Sequence, residues 1–182
     1  MIILFLFSYK AISIDKSYYS VCILDTDITI QGSHGNIVND IIKDDGITVF
    51  SFKVLNRFNS GDNNDLLKGL NFCEQKNAKI INMSLSSNNL DRRLKEKIEM
   101  LIKDKKIVVT SIPNDSNRKN EISNIPGVIS IKTGNSFKKL SNQNIYTIPS
   151  PNINGIRSNF YATARFTHLL SKKIIVIEER FE

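Results

Sequence analysis

Apolar positions along this chain follow two spacings in turn. Short unbroken runs rich in β-formers occur at Tyr19–Leu24, Ile47–Leu55, Lys79–Leu85, Ile107–Ser111 and Val128–Lys132, and each predicts a buried strand. Between them the apolar residues recur every three to four positions. His34–Lys43 gathers Ile37, Val38, Ile41 and Ile42 on one face, and Asp62–Lys76 gathers Leu66, Leu67, Leu70 and Cys73. Leu90–Lys105 is the clearest amphipathic helix, through Leu90, Leu94, Ile98, Leu101 and Ile102. Ala162–Ser171 is a last helix, with Phe160 just ahead of it, and 116–123 and 135–144 read as polar loops. Strand and helix in alternation predict an α/β fold: a mostly parallel β-sheet with helices on both faces.

Length and composition keep this picture simple. At 182 residues the chain is expected to form a single domain over 1–182, with no linker or internal repeat. Met1–Phe7 is apolar but too short to span a bilayer, and it is read as a first strand or a ragged start, so no membrane span is expected. A formal charge of +7 raises nucleic acid as a partner. The basic residues are scattered or mixed with acids, as in Arg92-Arg93-Leu94-Lys95-Glu96-Lys97, and no aromatics interleave with them. A solvated surface without nucleic acid is the expectation. Cys22 and Cys73 lie in apolar contexts without metal-ligand spacing, and two buried free thiols in a reducing compartment are expected.

Chemistry in an open α/β sheet gathers at the carboxyl ends of strands. Asp25 ends the run Val21-Cys22-Ile23-Leu24-Asp25-Thr26-Asp27. His34 opens a helix in Ser33-His34-Gly35-Asn36, and Asn114 follows Ile107–Ser111. Each alone reads as a turn or cap residue.

Taken in order, these segments resemble the motifs of the subtilisin-like serine proteases. Val-Cys-Ile-Leu-Asp-Thr-Asp is similar to the family's aspartate motif, and His34-Gly35-Asn36-Ile37-Val38 to its histidine motif. Ile80-Ile81-Asn82-Met83-Ser84-Leu85-Ser86 resembles the strand lining the substrate cleft. Ile107–Asn114 resembles the strand ending in the oxyanion asparagine, and Val128-Ile129-Ser130-Ile131 the strand after it. Tyr161-Ala162-Thr163-Ala164 resembles the helix that carries the nucleophile. The motif-bearing core runs over 19–172.

The resemblance implies Asp25 and His34 as two members of a catalytic triad, Asn114 as an oxyanion donor, and Ser84, Leu85 and Ser86 as the peptide-binding strand. The nucleophile position, however, holds Phe160, which has no attacking atom. Asp27, Ser86 and Pro113 stand where the family has glycine, and Ile37 where it has a second histidine. Only eight residues separate Asp25 from His34, too few for the insertion that often carries calcium ligands, so no structural metal and no cofactor are expected.

In such triads, loss of the serine costs about a millionfold in turnover. The expectation is a pseudoprotease that binds an extended or leader-peptide-like segment as a monomer. The alternatives are an active endopeptidase with Ser158 as a displaced nucleophile, and a decayed relic whose cleft Phe160 and Pro113 close. The compartment stays unassigned: cytoplasmic by default, although the family is often exported.

Overall fold

The computed structural model describes residues 18–140 and 144–177. Met1–Phe7 lies outside them. Among the described residues seven strands form one sheet: β1 Val21–Asp25, β2 Val49–Lys53, β3 Ile80–Met83, β4 Ile107–Ser111, β5 Ile129–Thr133, β6 Lys138–Leu140 and β7 Ile145–Ile148. Their spatial order is β2-β1-β3-β4-β5-β7-β6, parallel throughout except that β6 runs antiparallel to β7. The helices are α1 His34–Ile42, α2 Asn63–Gln75, α3 Arg92–Lys103 and α4 Asn159–Ser171.

Alternation along the strands builds two cores. In β1, Cys22 and Leu24 face a cluster with Leu70 of α2 and Leu94, Ile98 and Leu101 of α3. Val21 and Ile23 face the opposite cluster, with Val38 and Ile42 of α1 and Phe166 and Leu170 of α4. Both faces of the sheet are thus covered, as the runs of apolar residues require. Full burial of each such side chain contributes about 1.5–3 kcal/mol.

Several expectations are corrected. The strand expected to reach Leu85 ends at Met83. The last helix begins at Asn159, so Phe160 lies in its first turn instead of ahead of it. Ser158 supplies the cap, accepting from the Tyr161 N–H at 3.1 Å. The stretch 135–144, expected as a loop, carries β6, and β7 beside it has no counterpart among the expected strands.

The two cysteines are not free thiols. Cys22 of β1 and Cys73 of α2 form a disulfide across 51 residues. The alternation that turns Cys22 toward α2 brings it to Cys73 on that helix's inner face, both fully buried. The expectation of a reducing compartment loses its basis with that bond.

Candidate active site

The sheet order reverses at β1: β2 lies on one side of it and β3 on the other. The crevice at the carboxyl ends of β1 and β3 is the switch point at which ligands of open α/β sheets bind. Asp25 closes β1 there. Its carbonyl accepts the N–H groups of Val54 and Leu55, at 2.8 and 3.2 Å, and its carboxylate is fully buried. That carboxylate accepts the Thr26 N–H at 2.7 Å and faces His34 Nδ1 at 2.8 and 3.0 Å from its two oxygens. A carboxylate only accepts, so Nδ1 carries a proton, and in that neutral tautomer Nε2 is the acceptor.

Local sequence explains why the two meet. Ser33 caps α1 by accepting the Asn36 N–H, and its hydroxyl donates to the Asp27 carbonyl at 2.7 Å. Gly35 then lies so close to β1's exit that an added Cβ would sit 2.4 Å from the Thr26 carbonyl oxygen. Its N–H donates to Thr26 Oγ1 at 2.7 Å. A hydroxyl after the aspartate and a glycine after the histidine thus clamp helix to strand. Asp27, where the family has glycine, holds the turn by accepting the Thr29 hydroxyl and N–H. Those bonds keep its carboxyl below the usual range, the hydroxyl bond contributing most.

The other wall of the crevice is the first turn of α4. Phe160 is half-buried and meets the His34 imidazole edge-on, with ring centroids 5.5 Å apart at 85°. Tyr161 stacks on the same imidazole at 6.0 Å and 21°. Burial raises the Tyr161 hydroxyl pKa, and the Asp25 charge adds to the effect. Asn114, exposed beyond β4, accepts the Asn159 N–H through Oδ1 at 2.8 Å. That bond fixes the amide orientation and leaves Nδ2 as a donor without a partner among the described residues. The N–H of Phe160 is also unpartnered there, because Ser158 takes the N–H groups of Tyr161 and Ala162. One side-chain amide and one helix-end N–H are the two donors an oxyanion site needs.

The cleft strand departs from the simple expectation. Ser84 and Leu85 are buried, and the Leu85 carbonyl already accepts the Thr110 and Ser111 hydroxyls, each at 3.0 Å. Ser84 donates to Oδ1 of Asn82, and the Nδ2 group of Asn82 donates to Thr167 Oγ1 of α4. Only Ser86 is half-exposed, and its backbone N–H and C=O have no partner among the described residues.

Two asparagines that sequence reasoning did not single out hold these walls together. Asn159 is 7% exposed; its Oδ1 accepts the Thr133 N–H, and its Nδ2 donates to the Ile112 and Pro113 carbonyls. Asn120, 5% exposed, donates to Thr110 Oγ1 and the Ser111 carbonyl and accepts from the Ser87 and Ile122 N–H groups. Both join segments far apart in the chain, and nothing in their local sequence marks them. Among the described residues no group of three or more His, Cys, Asp or Glu side chains is placed to hold a metal ion.

Solved structures similar to this one include proteases. The prenylagaramide maturation protease PagA superposes with a TM-score of 0.70 at 17% identity, covering 85% of this chain and 74% of that one. The self-cleaved protease domain of PatA gives 0.68 at 16%, covering 87% and 83%. A cold-adapted subtilisin-like serine proteinase gives 0.66 at 16%, covering 85% and 74%. No protein-family model matches the chain, and no curated protein does. The chain has the subtilisin-like α/β fold.

Proposed function

We propose that this protein is a catalytically silent homologue of the subtilisin-like proteases, which holds an extended peptide in its crevice without cutting it. One observation carries this reading: the side chain facing His34 from the first turn of α4 is the phenyl ring of Phe160. His34 has Asp25 on Nδ1 and, among the described residues, no hydroxyl bonded at Nε2. On this reading the proton-transfer pair is assembled and, among the described residues, has no nucleophile to serve.

Support for peptide binding comes from what remains open. The backbone of Ser86 offers a donor and an acceptor for a strand laid alongside it. The Asn114 amide and the Phe160 N–H offer two donors to a peptide carbonyl. The kinship of fold with a maturation protease favours a precursor or leader-like peptide as the occupant.

The reading with Ser158 as a displaced nucleophile is disfavoured by its surroundings. Its hydroxyl accepts the Tyr161 N–H as the cap of α4, and the residue is 7% exposed. Freeing it would uncap the helix, a cost of about 1 kcal/mol.

The test is fluorophosphonate labelling of the wild type and of Phe160→Ser, with a fluorescein-labelled mixture of casein peptides as the binding probe. The expected result is no labelling of the wild type, labelling of the variant, and saturable peptide binding by the wild type without new peptide termini. Labelling of the wild type overturns the silent reading. Absence of peptide binding by a folded wild type leaves the relic as the better description.

A further inference from the structure

The end of the sheet opposite the candidate crevice carries a different chemistry. Tyr18 and Tyr19 precede β1, and lysine ammonium groups lie over both rings. Lys173 Nζ is 4.9 Å and Lys79 Nζ 5.9 Å from the Tyr19 centroid, and Lys172 Nζ is 5.7 Å from that of Tyr18. Lys79 also donates to the Lys105 carbonyl, and Lys106 to Asn77 Oδ1. Among the described residues the acids near this end include Asp44, held by Lys172, its neighbour Asp45, Asp104 at the C-cap of α3, and Asp40 and Glu74 in the last turns of α1 and α2, paired with Lys43 and Lys97.

Directly after Lys173 the chain runs Ile174-Ile175-Val176-Ile177. Ile175 and Ile177 pack against the cluster beneath α1 and α4. Ile174 and Val176 point outward, 62% and 80% exposed. Two bare aliphatic side chains therefore sit beside a group of ammonium ions and tyrosine rings.

We propose that this face docks peripherally on an anionic lipid surface. Lys79, Lys172 and Lys173 meet the lipid phosphates, Tyr18 and Tyr19 lie at headgroup depth, and Ile174 and Val176 enter the acyl boundary. The crevice, at the other end of the strands, then faces away from the membrane and stays open to a peptide. A nucleic acid fits this face less well. The lysines already cover the tyrosine rings that bases would stack on, and a phosphate backbone makes no use of exposed isoleucine and valine.

The experiment is co-sedimentation of the full chain with vesicles of phosphatidylcholine, with and without phosphatidylglycerol. Two double variants are compared with the wild type: Lys79→Gln with Lys173→Asn, and Ile174→Ser with Val176→Ser. Asparagine suits position 173, where φ is +57°. Thermal melting checks folding. The expected result is binding to the anionic vesicles only, weakened by added sodium chloride, and reduced about tenfold or more by either double variant. Equal binding of wild type and both folded variants overturns the proposal, because the attachment then lies elsewhere. Absence of vesicle binding, equal binding to pure phosphatidylcholine, or a preference for a DNA oligonucleotide over vesicles overturns it as well.

Discussion

The ring of Phe160 stands edge-on to the imidazole of His34, at 5.5 Å and 85°, while Asp25 holds the far side of that imidazole. The geometry predicts more than restored labelling on Phe160→Ser. In that background, Asn114→Ala removes the side-chain donor together with the acceptor of the Asn159 N–H, so thermal melting is compared alongside. Its labelling rate is expected to fall about 10²–10³-fold, the usual cost of one oxyanion donor. The time course of fluorophosphonate incorporation by the two variants checks this; equal rates would show that Asn114 does not serve the reacting oxygen.

Gly35→Ala places a methyl group against the Thr26 carbonyl at a distance no real Cβ tolerates, so α1 must move away from β1. A loss of about 1–3 kcal/mol in urea unfolding is expected, as for other overpacked contacts. The Asp25–His34 bond should loosen with it, visible as a shift of the His34 imidazole resonances.

The disulfide closes a loop of 51 residues between β1 and α2. Chain entropy alone puts its contribution at about 4 kcal/mol. Unfolding the oxidised protein beside the Cys22→Ala, Cys73→Ala double variant measures it, and a mass gain of two hydrogens on reduction of the unfolded chain verifies the bond. Both sulfurs are fully buried, so a thiol reductant is expected to act on the unfolded chain far faster than on the native one.

Asn120→Ala leaves the Ser87 and Ile122 N–H groups without their acceptor and the Ser111 carbonyl without its donor. Each unpaired buried group costs about 1–3 kcal/mol, so Asn120→Ala is expected to be among the most destabilising single changes outside the hydrophobic core. Hydrogen exchange should rise at Ser87 and Ile122 before it rises in α2.

Asp44 has its carboxyl held below the ordinary value of 3.8, first by the Lys172 hydrogen bond and then by the Asp45 N–H. The same bond raises Lys172 above its ordinary 10.5. A depressed carboxyl favours the fold above its unfolded pKa and loses that effect as pH falls through the folded one. A raised ammonium favours the fold below its unfolded pKa and loses the effect as pH rises through the folded one. The contribution therefore spans the range between, and it fades in acid below about pH 4 and in base above about pH 10.5. Asp44→Asn should flatten the acid limb of the stability profile in that window. Screening at this exposed site keeps the effect small, and high salt should erase it.

How far the sequence reveals this molecule depends on whether an element's cause is local. The β1 strand, the Asp25 ending and the Ser33-His34-Gly35 helix start are legible because each rests on neighbouring residues: an apolar run, a side-chain cap, a glycine at a close approach. Phe160 is legible as a side chain without an attacking atom, at the position where the family resemblance expects a nucleophile. The start of α4 is less so, because its cap Ser158 follows a polar stretch that resembles a loop. Asn120 and Asn159 are illegible, since the backbone groups they satisfy belong to other segments. The disulfide is likewise nonlocal: which face of β1 carries Cys22 follows from alternation, but its meeting with Cys73 follows from how α2 lies across the sheet. The β6 strand, Lys138-Lys139-Leu140, is an edge strand with exposed lysines, and its polarity hides it in a loop-like stretch.

The cap at Ser158 has a wider meaning for the crevice. The first turn of α4 distributes its N–H groups so that Asn159 is tied to Asn114, Tyr161 and Ala162 are tied to Ser158, and the N–H at position 160 remains pointing free. None of these ties involves the side chain at 160. The hydrogen bonds that shape this turn are therefore made independently of the side chain at position 160. On the reading proposed above, gripping and cutting are separate inventions, and a single side chain decides whether the second accompanies the first.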